Sequence, residues 1–159
     1  MKSSGFIVRF SLVLVFSGLG AQAPAWADAP NQCTPGETRQ MLTLELRDAG
    51  AQAPISVVVA LDYDAALVRM PDSGSSSAVR QRLRPRIDGA VVTPNDHGSQ
   101  LRVMAARGGG IAAGPLVDVE LDRCLGARAP TAEDFTCIIE SCAGSGGGLS
   151  ACGCVVRLN

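Results

Sequence analysis

Cys33, Cys124, Cys137, Cys142, Cys152 and Cys154 are the residues of this chain best equipped for chemistry, and their number is even. Thiols can ligate zinc, exchange electrons or close disulfides. Zinc needs four ligands in tetrahedral reach, commonly drawn from Cys-x-x-Cys pairs. The chain has no such pair; Cys142, Cys152 and Cys154 with His97 come nearest. A redox Cys-x-Cys needs a thiol of lowered pKa, and no lysine or helix start lies near Cys152-Gly153-Cys154. We read the six as three structural disulfides and assign no metal and no cofactor.

His97 is the only histidine, so any Cys–His or Ser–His nucleophile would have to use it. It stands in Asn95-Asp96-His97-Gly98, where turn geometry alone explains the polar residues. No Gly-x-Ser-x-Gly elbow is present. Asp62 and Asp64 flank Tyr63; with Asn95 or Asp96 they could hold calcium, or act as a glycosidase pair. A sugar site would lack aromatic platforms here, and the simpler reading is a Tyr-Asp corner that forms a turn. Neither Gly108–Gly110 nor Gly146–Gly148 is a phosphate loop, since no Lys-Ser/Thr follows. Arg80, Arg82, Arg84 and Arg86 form a stripe at period two. Guanidinium groups match carboxylate and sulfate geometry, so the stripe could bind an acidic glycan. The competing reading is the solvent face of a strand, neutralised by Asp118, Glu120 and Asp122 on a neighbour, each pair contributing about 0.2–1 kcal/mol.

The elements that would carry these residues are strands. Leu42, Leu44 and Leu46 alternate with Thr43, Glu45 and Arg47; Ile55, Val57, Val59, Leu61 and Tyr63 share a face. Val58 and Ala60 on the opposite face make that second strand central and covered on both sides. Val79–Ile87 alternates too, and Pro85 confines it to an edge or a bulge. Ala90–Thr93 is short and closed by a turn from Pro94 to Gly98. Gln100–Ala106 and Leu116–Cys124 follow, then Phe135–Glu140 and Cys154–Leu158 across a glycine-rich link. About eight short strands without a long helix predict an all-β, two-sheet sandwich of jelly-roll or Ig-like type.

Six cysteines allow fifteen pairings. A hairpin of the last two strands about Gly147 would set Cys142 against Cys152. Cys137 and Cys154 would be the next pair but fall out of that register and need a bulge; placing the two strands in opposite sheets would undo the hairpin on which this pairing rests. Cys33 and Cys124 would remain, tying the N-terminal segment to the end of the acidic strand.

Residues 1–27 read as an export signal. Lys2 and Arg9 precede the apolar run Phe10–Leu19, and Ala25-Trp26-Ala27 is a small-x-small cleavage site. Beyond it, residues 28–36 read as a tether and 37–159 as the folded domain. That 132-residue remainder holds twelve arginines against fifteen acids, a net charge of −3, and only Tyr63 and Phe135 as aromatics. Such a balance offers nothing to nucleic acid, and no second apolar run is long enough to span a membrane.

From Gly36 to Cys124 the order of features resembles a cohesin-like domain. Gly36-Glu37-Thr38 is similar to the family's strand entry, and Leu61-Asp62-Tyr63-Asp64 with Leu67-Val68 to its Tyr-Asp strand end. Gly98–Val103 resembles its Gly-x-Leu-x-Val strand, and Ile111–Val119 its glycine-led strand. The resemblance implies a two-sheet jelly roll that binds partners non-covalently. Six cysteines and the reduced first strand depart from the family pattern. The expectation is a secreted or periplasmic, non-enzymatic binding or structural protein that engages a protein partner through a sheet face. The alternative is an anion- or acidic-glycan-binding module using the arginine stripe; a hydrolase built on His97 or a redox protein built on Cys152 and Cys154 stands third. Mass spectrometry of the exported protein is expected to find Asp28 at the N-terminus; retention of Met1 would contradict the signal assignment.

Overall fold

Alternating apolar residues can be buried only if two sheets face one another, and the computed structural model shows that arrangement. It describes residues 33–47, 53–148 and 152–159; the expected signal, most of the tether and the turn Asp48-Ala49-Gly50 lie outside them. The strands are β1 (Pro35–Arg47), β2 (Ser56–Tyr63), β3 (Val68–Arg69), β4 (Leu83–Pro85), β5 (Val91–Asp96), β6 (Gln100–Ala106), β7 (Gly114–Cys124), β8 (Phe135–Gly144), β9 (Gly147–Gly148) and β10 (Gly153–Leu158). One helical turn, α1 (Ser77–Arg80), precedes β4, and a 3-10 turn at Ala132–Asp134 precedes β8. Sheet A runs β10-β1-β7, with β3 and β4 both on the far side of β7; sheet B runs β5-β6-β2-β8-β9. Every pairing is antiparallel. The chain is therefore an all-β sandwich, and eight of its ten strands are longer than two residues.

The core follows the period-2 pattern. Leu42, Leu44 and Leu46 from β1 and Val117, Val119 and Leu121 from β7 meet Val57, Val59, Leu61, Leu101, Val103 and Ala105 from sheet B; all are at most 2% exposed. Ile111, in the loop before β7, is also fully buried, and its N–H donates to the Pro54 carbonyl. No alternation marks a lone loop residue, so periodicity misses it. β2 is the central strand of sheet B, as its two-faced apolar content predicts. Its outer face carries no third layer of described residues. On that face Ala60 is buried, and its register partner Arg102 on β6 forms an ion pair with Glu140 of β8 on the other side of β2.

Three expectations are corrected. The Val79–Ile87 strand is shorter: Ser76 caps α1 by accepting from the Val79 N–H, and only Leu83–Pro85 pairs with β7. A serine run supplies that cap, so Arg80 ends a helical turn and leaves the stripe. The strand predicted at Ala90–Thr93 continues through Pro94 to Asp96. Pro94 is tolerated because β5 is an edge strand and the missing N–H points away from β6. β1 begins at Pro35, inside the expected tether, and pairs there with Cys124.

β8 and β10 do not form a hairpin; they lie in different sheets. Cys137 stands beside inward-facing Leu61, and Cys154 beside inward-facing Leu46. Their sulfurs meet in the interior, and Cys142 and Cys152 cross in the same way. Cys33–Cys124 ties the segment before β1 to the end of β7. The Cα separations are 5.0, 5.8 and 6.3 Å for Cys33–Cys124, Cys137–Cys154 and Cys142–Cys152. The pairs close loops of 91, 17 and 10 residues. Loop-closure entropy alone assigns them about 4.6, 3.1 and 2.7 kcal/mol. Replacing Cys33 and Cys124 together by alanine is therefore expected to cost about 4–5 kcal/mol in denaturant unfolding. Replacing Cys142 and Cys152 should cost roughly half that. Equal losses for the two variants would show that strain or contacts, rather than loop length, set the contribution.

Candidate functional site

The outer face of sheet A is built from charges at period two. β7 presents Asp118, Glu120 and Asp122; Arg39 and Thr43 come from β1, Arg84 from β4, and Arg82 and Arg86 flank β4. β4 is antiparallel to β7 with Arg84 opposite Asp118, so the basic and acidic strands are neighbours in one sheet. Arg82 lies between two carboxylates, 3.1 Å from Glu120 Oε1 and 2.8 Å from Asp122 Oδ1, with its side chain 13% exposed. Arg39 donates to Glu120 from the other side. This hydrogen bond, reinforced by the charges of Arg39, Arg82 and Arg84, holds the Glu120 carboxyl below the usual range. Thr43 donates to Asp118 and accepts from the Asn159 amide.

The carboxylates lie underneath and the guanidinium groups on top. Asp118, Glu120 and Asp122 are only 10–16% exposed, whereas Arg84 and Arg86 are 68% and 56% exposed. Arg84 and Arg86 approach Glu120 and Asp118 at 3.7 and 3.6 Å, outside hydrogen-bond range. Arg82 is thus a structural cross-brace, while Arg84 and Arg86 keep their donors for solvent or a ligand. Arg80 is exposed at the end of α1, apart from this network.

The outer face of sheet B is different in kind. Its register puts Thr93, Met104 and Val58 in one row and Asn95, Arg102, Ala60 and Ile138 in the next. Val91, Met104 and Ile138 are 65%, 42% and 48% exposed. The Arg102–Glu140 pair, at 2.9 Å, crosses between them. Three large apolar side chains on three strands of one face, around a single ion pair, have the composition of a protein-docking surface.

The other candidate residues do not converge. Asp62 accepts from the Gln100 amide at 2.7 Å, and Asp64 accepts from the Ala66 N–H at 2.9 Å, the bond that closes its turn. Asp96 points inward: its two oxygens take the Tyr63 hydroxyl at 2.6 Å and the Gly98 N–H at 3.0 Å. Burial, and then the Asp96 carboxylate, push the Tyr63 hydroxyl well above the usual phenol range. Period-2 reading misses the Tyr63–Asp96 bond because nothing in it says which turn residue folds inward. His97 is exposed. All six sulfurs are in disulfides, so the described residues include no free thiol. Among the described residues, no three His, Cys, Asp or Glu side chains gather as metal ligands. A cleft beside Cys33 is lined by Arg69, Asp72, Ser73 and Asp96. Its Arg69 donates to the carbonyls of Met70 and Cys33, and both Asp96 oxygens are occupied, so no unspent pair converges there.

No family model, curated protein or solved structure matches this chain.

The two arginine roles separate by mutation. Arg82→Ala leaves two nearly buried carboxylates short of a partner and is expected to cost about 1–3 kcal/mol. Arg84→Ala and Arg86→Ala should stay within about 0.5 kcal/mol of wild type. Because the Glu120 carboxyl is depressed when folded, its contribution is present above the ordinary value of 4.5 and is lost as pH falls below it. Glu120→Gln should therefore flatten the acid limb of a stability–pH profile; an unchanged limb would remove Glu120 from the network.

Proposed function

We propose that this chain is an exported, non-enzymatic binding protein that engages a protein partner through the outer face of sheet B. The observation that carries the reading is the exposure of Val91, Met104 and Ile138 on adjacent parts of one face. Leaving such side chains in water forgoes about 25 cal/mol for each Å² of apolar surface, a gain that a docked partner recovers. The partner that fits is a protein surface with apolar side chains flanking one charged group of each sign, opposite Glu140 and Arg102. Export is supported by three disulfides, which persist in oxidising compartments. No described helix is long and apolar enough to cross a membrane. The likeness of Gly36–Cys124 to a cohesin-like domain agrees with non-covalent binding, though a fold alone does not name a partner.

One observation favours a second reading, an acidic glycan on sheet A. Arg84 and Arg86 are more than half exposed and make no side-chain hydrogen bond among the described residues. They stand two positions apart, which spaces their stems by about 7 Å along the sheet edge. Guanidinium groups so placed match successive sulfates or carboxylates of a polyanion.

The two faces can be tested against each other. Met104→Asp with Ile138→Asp should abolish capture of a protein partner from the envelope fraction or culture medium. It should leave the melting temperature within a few degrees, since surface changes cost about 0.5 kcal/mol or less. Arg84→Ala with Arg86→Ala should leave that capture intact. Loss of capture only in the arginine variant, together with wild-type retention on a sulfated polysaccharide column, would overturn the first reading in favour of the second.

A further inference from the structure

A sandwich has four sheet edges, and each open edge is a row of unpaired N–H and C=O groups. Three of the four are blunted here. On the far side of sheet A, β3 and β4 are two and three residues long. Glu120 N–H donates to the Arg82 carbonyl and Arg86 N–H to the Leu116 carbonyl. This places the nitrogen of Pro85 on the outer edge of β4, where no N–H is offered. On sheet B, Pro94 removes the corresponding donor from β5. Asp96 on the same edge exchanges hydrogen bonds with Gly74, at 2.7 and 2.9 Å. Gly74 has φ of +66°, a conformation that glycine adopts without strain. At the other end of sheet B, a register shift breaks β8 opposite Val58 and Val59, and β9 covers Ala143 and Gly144.

β10 carries none of these devices. It is six residues long and contains no proline, and its only charged residue is Arg157. Arg157 is held at 2.6 Å by Glu45 of its own sheet. Asn159 N–H donates to the Met41 carbonyl, so Arg157, Val155 and Gly153 are the residues bonded to β1. Cys154, Val156 and Leu158 therefore turn their N–H and C=O groups outward, and among the described residues none of these groups has a partner.

We propose that β10 pairs with β10 of a second copy of this chain, antiparallel and centred on Val156, joining two A sheets across a two-fold axis. The edge is self-complementary. Val156 would face Val156, and Cys154 would face Leu158 in both directions, making about six backbone hydrogen bonds. On the solvent face, Val155 would stand opposite Arg157 of the second copy, so no like charges oppose each other. Both copies use the same edge, so a two-fold pairing consumes it in each and the assembly closes at two copies. This pairing uses the backbone of an edge and is independent of the sheet-B face.

Sedimentation of the intact, disulfide-bonded protein over a wide concentration range tests the idea. A monomer–dimer equilibrium is expected for wild type. Val156→Pro removes an outward N–H that bonds to nothing within the chain, and it should weaken association by about tenfold or more. Should that variant fail to fold, position 155 decides. Val155→Glu would face Arg157 of the second copy and tighten the dimer; Val155→Arg would loosen it. Within one chain the same residue stands beside Glu45, so the monomer's melting temperature should move the opposite way, up for Val155→Arg and down for Val155→Glu. A wild type that stays monomeric throughout, or a dimer indifferent to both substitutions at 155, would overturn the proposal.

Discussion

Cys137–Cys154 ties β8 to β10 of the other sheet, Cys142–Cys152 ties β8 to the residue that precedes β10, and the rest of the sandwich depends on that crossing. Most of the interior is leucine, valine and alanine, with Tyr63 and Phe135 as its aromatic members. Aliphatic side chains are smaller than aromatics, so each contact between the sheets buries less surface. The chain leaves sheet B after β9 and enters sheet A at β10. On this side no long strand caps the outer edge of β8 or β10 among the described residues. Two covalent bonds across the interior join the layers beside Ile139, Val156 and Leu158, which pack against the core. The third disulfide acts within sheet A, where β1 and β7 already pair, and closes the long loop between their ends.

The same layering accounts for the charged face of sheet A. Carboxylates on β7 sit low in the sheet, close to their backbone, and longer arginines reach over them from β1 and from β4 and its flanks. Arg82 reaches two acids and is sequestered; Arg84 and Arg86 reach one each at long range and remain in water. A charge stripe can therefore be part brace and part solvent-exposed, and the division follows from distance. Sheet B solves its outer face otherwise. It carries one ion pair and leaves large apolar groups exposed around it. The two outer faces thus differ in chemistry: charges on one, apolar side chains around a single ion pair on the other.

Much of this was legible in the residues. Leu42, Leu44, Leu46, Val57, Val59 and Leu61 alternate with polar or smaller neighbours, and a strand's side chains alternate between faces, so the core could be listed from order alone. Pro85 marked an edge because a proline nitrogen cannot join a ladder, and β4 is an edge strand. The basic and acidic strands could be matched because opposite charges at the same period favour adjacency. Ser76 was harder to read: its cap turns Val79 and Arg80 into a helical turn although their alternation looks like a strand. Ile111 was invisible, since one buried residue in a loop has no period.

The sequence by itself determined the class of fold, the inward and outward sides of β1, β2, β6 and β7, and the count of disulfides, because these depend on local periodicity and parity. Tertiary structure alone decided which sheet each strand joins. It placed β8 and β10 in opposite layers, turned Asp96 inward to Tyr63, sorted Arg82 from Arg84 and left the β10 edge without proline, bulge or cover. Those outcomes depend on which distant segments compete for the same hydrogen-bonding edge and the same interior volume. Alternation within a single segment carries no information about that competition.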